Sequence, residues 1–552
     1  MLNGLSNVNN CSIGDNGCSS CSVNFVKLLL YFFPLFTSSL IPLETKRLLM
    51  IIFPGGTSHH FVIQTLFNHT ITHQTKYTYE YHILVHNIDI HNWKNLSSLK
   101  NYYIYPYGNV TECKQHLINS IEMFNKNPTF GFTNFNKGMI FHIKEFLSSD
   151  LISQLKHIKF DIIGSDIPTF IQIILANELN IKNKLYISPP SLPQLFYRNF
   201  ELNPSYIPAI GATFSDTMSF KERIINYIYQ TSAQIIFALF QYQQINYIKR
   251  NFNYNITTNN IHFADAINFI QYPLSIAFPI STPPNFILLN AITPKQSTPM
   301  NESEINIDKF LSKHKINIYI SQGTIMNIIN MNEQIKMFKH FNTNNNIGFI
   351  LSMRQELLNE LNVHELPKNV YVTKWVNQND LLGDDRVKCF ITHGGINSVS
   401  EAVYHNKPMI VLGVGLDQIN TAAFVKKKRI GVTVQNKREI NSNFLINAIN
   451  DVISNYEVYV NRIKVLSKLM KESRSAKEEF QYWIDYGFEN GYDNLIIDVI
   501  KNGNWFRING YDIQLFFICL GYIIFLINKK VFLYWYGLCK RNNIKVNKLK
   551  YL

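Results

Sequence analysis

An α/β architecture of two Rossmann-like, doubly wound domains with parallel sheets, followed by one C-terminal transmembrane helix, is what the 552-residue sequence predicts. Three observations carry it. Short apolar runs alternate with helical or polar stretches in two blocks, a Pro-rich polar segment parts the blocks, and an uncharged apolar run lies near the C-terminus. With 46% hydrophobic residues the chain can build more than one core, which excludes a disordered protein.

Residues 1–43 read as a leader with a secretory signal. In "KLLLYFFPLFTSS", Lys27 precedes an apolar run too short to span comfortably, and small residues follow it. Cys11, Cys18 and Cys21 lie upstream without His or Cys partners nearby and are assigned no function. The first domain is expected over 44–290. It opens with the strand "RLLMIIF", the glycine-rich turn "PGGTSHH" and a helix from Phe61, and has a further strand and turn at "FDIIGSDIPTF". The segment "NAITPKQSTPMNESEINID" supplies a linker over 291–306. The second domain, 307–500, resumes the alternation with "INIYISQGT", "IGFILSMR", "VYVTKWV", "KCFITHGG" and "PMIVLGVG".

"IQLFFICLGYIIFLI", Ile513 to Ile527, with the aromatic "VFLYWYGL" beyond it, predicts a membrane anchor over 511–538. Lys529, Lys530, Lys540 and Arg541 lie on its C-terminal side, which puts the tail, 539–552, in the cytosol and the body in the lumen. The ending "KLKYL", with Lys548 and Lys550, is similar to a lysine-based retrieval signal. The expected place is therefore the endoplasmic reticulum membrane, single-pass type I. Sequons at Asn68, Asn95, Asn109, Asn255 and Asn301 agree with a lumenal body. Only Cys113 and Cys389 remain in that body, so no disulfide framework is expected. The net charge of +14 is scattered, with local clusters at Lys426 to Arg429 and near the C-terminus, and no basic tract is interleaved with aromatics. Nucleic acid is therefore not an expected partner. A homo-oligomer is compatible with the sequence.

In doubly wound folds ligands bind beyond the carboxyl ends of the strands. After "KCFIT" come His393, Gly394 and Gly395, then Asn397 and Ser398 at a helix start and Glu401 within it. Glycines let a ligand approach the backbone, and the N–H groups and dipole of the helix attract anions, so the site suits a phosphate chain. No D-x-D pair is present, so neither a metal nor a bound cofactor is indicated.

The block "KWVNQNDLLGDDRVKCFITHGGINSVSEAVYHNKPMIVLGVGLDQINTAAF" resembles the signature of the UDP-glycosyltransferase family, which includes the UDP-glucuronosyltransferases. The resemblance takes in "TSHH", "FDIIGSD", "YISQGT", "FQYWID" and the anchor, and so most of the chain from Arg47 onward. It implies a GT-B arrangement, the two domains facing each other across a cleft. On matching positions it makes Trp375 a stacking surface for uracil and Gln378 a ribose or base contact. His393, Gly395, Asn397 and Ser398 hold the diphosphate, with Gly323 and Thr324 near the phosphates. Glu401 takes the ribose hydroxyls, and Asp417 and Gln418 the hydroxyls of the donor sugar.

The resemblance also makes His59 the base that removes the acceptor hydroxyl proton, and Asp166 the carboxylate that orients it. His60 is a neighbouring rival, and Asp161 reads as structural. The implied activity is an inverting transfer of a hexosyl group, glucuronic acid or glucose, from a UDP-sugar to a hydroxyl of a small lipophilic acceptor. The apolar "SPPSLPQLFYRNFELNPSYIPAIGATF" is compatible with that acceptor. Two departures stand out: Asn377 where the family has Pro, and Gly413 and Gly415 where it has Pro followed by an aromatic. The first is expected to loosen the uracil loop and the second to widen the sugar pocket. They favour an alternative reading, a catalytically inactive UDP-sugar-binding relative acting as a partner subunit, which His59 and Asp166 oppose. An NAD oxidoreductase would need G-x-G-x-x-G after the first strand, and "PGGTSHH" lacks it.

Overall fold

A computed structural model of the chain describes residues 43–73, 76–96, 98–126, 128–167, 169–190, 203–256, 265–321, 323, 328–342, 346–353, 366–497, 505–508 and 510–549. The leader and signal expected over 1–43, up to residue 42, fall outside them. Of the two units into which the chain divides, one contributes only residues 43–45 and 76–78 to the described part, and the other holds everything that follows.

Seven strands form the first sheet: β1 (Glu44–Ile52), β2 (Tyr77–His86), β3 (Tyr102–Tyr107), β4 (Ile162–Ser165), β5 (Asn183–Ser188), β6 (Ile267–Gln271) and β7 (Phe286–Leu289), in the order β3-β2-β1-β4-β5-β6-β7. The second sheet has β8 (Ile316–Ser321), β9 (Ile347–Ser352), β10 (Val370–Thr373), β11 (Val387–Thr392), β12 (Met409–Leu412) and β13 (Gly431–Val434), in the order β10-β9-β8-β11-β12-β13. Both sheets are parallel. Their central strands are continuous apolar runs because helices cover both faces, as Ile162, Ile163, Ile318, Ile320 and Phe390, all fully buried, illustrate.

The strand order reverses between β1 and β4 in one sheet and between β8 and β11 in the other. Pairing from Leu48↔Ile162 to Ile51↔Ser165, and from Cys389↔Ile318 to Thr392↔Ser321, ends each of these strand pairs side by side. The loops beyond them thus open at a topological switch point in each domain.

The helices used below are α1 (Thr57–Thr72), α2 (Phe170–Glu178), α3 (Phe220–Phe252), α4 (Gln378–Gly383), α5 (Ile396–Tyr404), α6 (Leu416–Lys428), α7 (Ala476–Asn490) and α8 (Tyr511–Leu549). In the second domain Phe390, Val399, Val411 and Phe424 pack on one side of the sheet, and Ile320, Phe338, Phe349 and Ile391 on the other. In the first, Leu49, Ile51 and Ile163 pack against α2 through Phe170 and Ile174.

Two features exceed what the sequence shows. The linker is bound rather than free: the Lys295 N–H donates to Asn379 Oδ1 (3.1 Å), the Thr298 N–H donates to Asp380 Oδ1 (3.1 Å), and Met300 enters the second-domain core. Helix α7 returns to the first domain, where Phe480 meets Phe269 and Phe67 with ring centroids 4.9 and 6.0 Å apart, and Tyr79 Oη donates to Asp485 Oδ1 (2.6 Å). The last helix, α8, contains Tyr511–Leu538, a stretch long and apolar enough to cross a membrane and with no part buried against the protein. The helix continues through the expected tail to Leu549, and Lys550 lies outside the described residues.

Candidate functional site

At the first switch point the chain leaves β1 through Pro54, Gly55 and Gly56. Gly55 takes a φ of +90°, which favours glycine, and its N–H donates to Asp89 Oδ2 (2.6 Å). This turn places His59 in the first turn of α1. Asp166, just beyond β4 and only 4% exposed, accepts the Phe53 N–H at Oδ1 (2.9 Å) and meets His59 Nδ1 at Oδ2 (2.9 Å). A carboxylate oxygen accepts, so Nδ1 carries the proton and Nε2 is left with its lone pair. The dyad therefore presents a basic nitrogen on a partly exposed ring.

The adjacent His60 faces the other way. It is 1% exposed, its Nδ1 accepts from Trp93 Nε1 (2.7 Å), and its Nε2 lies 3.5 Å from Asp89 Oδ2. It braces the turn from inside, with its ring turned away from solvent. Asp161 accepts the Arg47 N–H (2.9 Å), a structural tie at the start of the strand pair.

At the second switch point three glycines clear space. A Cβ on Gly323 would stand 3.0 Å from the His393 ring, one on Gly395 2.6 Å from His393 Nε2, and one on Gly394 2.7 Å from Val411 Cγ1. Gly395 is the N-cap of α5 and offers no side chain, so the N–H groups of the first turn are not capped locally. His393 Nδ1 has no hydrogen-bond partner among the described residues. Burial lowers this histidine to about 4, which favours the neutral imidazole near neutral pH. Thr324 lies outside the described residues.

Gln378, Ser398 and Glu401 form one hydrogen-bonded group: Gln378 Nε2 donates to Glu401 Oε2 (2.8 Å) and Ser398 Oγ (3.1 Å). Burial raises the Glu401 carboxyl, and the Gln378 amide works against that rise. Asn397 Oδ1 accepts from Gln271 Nε2 (2.7 Å), a residue of the first domain at the end of β6. Trp375 is 69% exposed, a flat indole face open to solvent beyond β10.

Asp417 and Gln418 occupy the first turn of α6. Burial pushes Asp417 up to about 6, and its own backbone N–H and His59 of the first domain pull it back down, so this second-domain carboxyl lies within electrostatic reach of His59. A second link closes nearby, where Asn420 Nδ2 donates to Ala209 O (2.8 Å) and Oδ1 accepts the Gly211 N–H (3.0 Å).

Asn377 and Gly413 have local explanations that correct the expectations attached to them, and Gly415 is the N-cap of α6. Asn377 is the N-cap of α4: its Oδ1 accepts the Asp380 N–H (3.4 Å) and its Nδ2 donates to Asp380 Oδ2 (2.6 Å), so the loop is tied down, not loosened. Gly413 widens nothing, because α6 fills the space: a Cβ there would lie 2.5 Å from the Gln418 carbonyl oxygen and 2.7 Å from Ala422 Cβ. Gly413→Ala is therefore expected to destabilise the second domain by about 1–3 kcal/mol in thermal unfolding. An unchanged melting temperature would show that α6 can shift freely.

Sequence reasoning missed Gln271, Asn420 and Trp93. Each acts through a contact more than 30 residues away, and no local pattern marks any of them. Of the apolar acceptor segment, residues 191–202 lie outside the described part. Gly211, Thr213 and Phe214 line a cavity of about 480 Å³ with Ile225 and Tyr229.

The family model described as UDP-glucoronosyl and UDP-glucosyl transferase matches residues 97–546. UDP-glucuronosyltransferase 2B23 of Macaca fascicularis is 25% identical over 415 residues, 73% of this chain and 75% of its own length. UDP-glucuronosyltransferase 2B15 of Homo sapiens is 27% identical over 394 residues, 69% of this chain and 72% of its own. Among solved structures, a UDP-glucosyltransferase from Polygonum tinctorium capable of glucosylating indoxyl aligns with a TM-score of 0.53 and 13% identity, covering 81% of this chain and 99% of that one. Os79 from O. sativa, in a complex with a trichothecene, aligns at 0.51 and 13%, covering 80% of this chain and 100% of that one. These structures share the GT-B fold, two parallel α/β domains.

Proposed function

Since the chain belongs to the UDP-glucuronosyl and UDP-glucosyl transferase family and is a glycosyltransferase that uses a UDP-sugar, we propose that His59 is its catalytic base and that the acceptor is a small lipophilic alcohol or phenol. The observation that carries the reading is the His59–Asp166 pair, with Nδ1 held at 2.9 Å on a partly exposed ring whose Nε2 takes no part in that contact. Nε2 takes the acceptor hydroxyl proton as the oxygen attacks the anomeric carbon. Asp166 keeps the tautomer and stabilises the imidazolium that forms. The C–O bond to UDP breaks on the opposite face, so the product is inverted.

The leaving diphosphate gains negative charge as it departs. In this proposal the first-turn amides of α5 and the neutral His393 receive it, without a metal. Trp375 stacks on uracil, and the Gln378–Glu401 group takes the ribose hydroxyls. A membrane-bound, single-pass arrangement in the endoplasmic reticulum, with the body lumenal, belongs to the same proposal and is supported by the apolar stretch in α8.

Asp417 gives the donor site a pH signature. Ordinary carboxyls titrate near 4, and this one is raised to about 6. Sugar hydroxyls donate to its ionised form, so donor affinity is full above about 6 and falls as pH drops through that value, at most about tenfold per unit. Asp417→Asn is expected to bind weakly with a flat profile. Direct UDP-sugar titrations at a series of pH values check this, and a variant profile that still falls like the parent's removes Asp417 from the sugar site.

The test of the function is UDP release by membranes holding the full chain, offered UDP-glucose or UDP-glucuronate with a panel of lipophilic alcohols and phenols. Release that requires an acceptor identifies the donor. Saturable UDP-sugar binding without acceptor-dependent release would return the reading to a non-catalytic partner subunit.

A further inference from the structure

Helix α3 is built inside out. Of its 33 residues, Ile245 and Ile248 join the first-domain core near its C-terminal end, while along the rest the buried side chains are Asn226, Gln230 and Gln244, which fasten it to the body. Asn226 Nδ2 donates to Pro204 O (2.7 Å) and Ile207 O (2.8 Å), Gln230 Nε2 to Ile207 O (2.9 Å), and Gln244 Nε2 to Asn136 Oδ1 (2.8 Å). On the far side Ile224, Tyr227, Ile228, Ile235, Leu239 and Tyr242 are between 47% and 58% exposed. At ~100° and ~1.5 Å per residue they form a stripe about 120° wide and about 27 Å long. A helix that faces water turns its polar side outward. This one turns out its apolar side, so the pattern suits a medium other than water.

The rim of the stripe indicates which medium. Lys221 and Arg223 near one end, and Lys249 and Arg250 at the other, are exposed. The exposed run Lys426–Arg429 of the second domain comes close to the same helix, because Lys427 Nζ donates to Thr217 Oγ1 (2.5 Å), two residues before the Ser219 cap. Ile, Leu and Tyr flanked by Lys and Arg is the composition of a helix lying at a lipid–water boundary, with tyrosines at headgroup level and basic groups on anionic lipid. A second copy of the chain would bring the same basic rim against itself, at a net charge of +14 per copy.

We propose that the outward face of α3 is a second membrane contact, lying in the interfacial layer of the bilayer that α8 crosses and favouring anionic headgroups. The proposal rests on α8 being a membrane span. It makes the body lie against the surface instead of standing off on its anchor.

The experiment reconstitutes the full chain into vesicles of phosphatidylcholine and phosphatidylserine whose phosphatidylcholine is brominated along its acyl chains, and adds Ile228→Trp. The extra tryptophan emission, variant minus parent, is expected to be blue-shifted and quenched by the brominated lipid. A parallel Trp535→Phe comparison reads the span, since Trp535 lies within Tyr511–Leu538. Quenching at residue 535 with a water-like, unquenched residue 228 overturns the proposal and leaves the anchor standing. A shielded residue 228 that bromine does not quench, and that depends on protein-to-lipid ratio, also overturns it and assigns the face to a second copy. Absence of quenching at both positions removes the anchor and the proposal together.

Discussion

His59→Ala is expected to lower kcat for acceptor-dependent UDP release by about 10²–10⁴-fold, the range of a lost general base, while the UDP-sugar dissociation constant stays close to the parent's. The split follows from geometry. His59 sits at the switch point of the first sheet, and the groups assigned to the nucleotide all belong to the second. His60→Ala makes the contrast. It leaves the buried Trp93 N–H without its acceptor, which costs about 1–3 kcal/mol of stability, and activity falls only as far as the folded fraction does. If the two alanine variants behave in reverse, with His60 controlling kcat, the base has been misassigned. Initial rates at saturating donor and acceptor, alongside donor titrations, separate these cases.

Asp166→Asn is expected to lose as much, about 10²–10⁴-fold in kcat, although the new side chain has the same shape. The Phe53 N–H donates to Oδ1 at 2.9 Å, so the amide oxygen stays on that side and the NH₂ group turns toward His59 Nδ1. That donor forces the imidazole proton onto Nε2, the nitrogen that must accept one from the substrate. Raising the pH does not restore the rate, because the defect is the wrong tautomer and not excess protonation. A variant that retains parental kcat, or recovers it at alkaline pH, would reduce Asp166 to a brace between β1 and α1. The measurement is a pH–rate profile of parent and variant under saturating conditions.

The strands that carry the site were legible because a parallel strand buried on both faces leaves a continuous apolar run. "INIYIS" and "VKCFIT" became β8 and β11, with glycines marking the turns where a ligand meets backbone. The resemblance selects His59, but register alone leaves His60 a rival. Adjacent residues on a helix diverge by ~100°, and only Trp93 and Asp89, brought in by the tertiary fold, show which ring faces inward. Asn377 and Gly413 read as losses against the family pattern because a motif records residue types and omits neighbours. In the fold one caps a helix and the other admits one. Helix α3 misleads in another way: an apolar stripe at helical spacing ordinarily marks the side that meets the core, and here the stripe from Ile224 to Tyr242 faces outward while Asn226, Gln230 and Gln244 are buried, with only Ile245 and Ile248 at the C-terminal end in the core.

The central claim is a single displacement, in which His59 delivers the acceptor oxygen to one face of the anomeric carbon while UDP departs from the other toward α5. Proton NMR of the glycoside formed from an α-linked UDP-sugar tests it most directly, through the coupling at the anomeric position. The account predicts a β-glycoside as the sole initial product. An α-glycoside would contradict it, because retention requires either a covalent intermediate or attack from the leaving-group face, and the His59–Asp166 pair is arranged for neither.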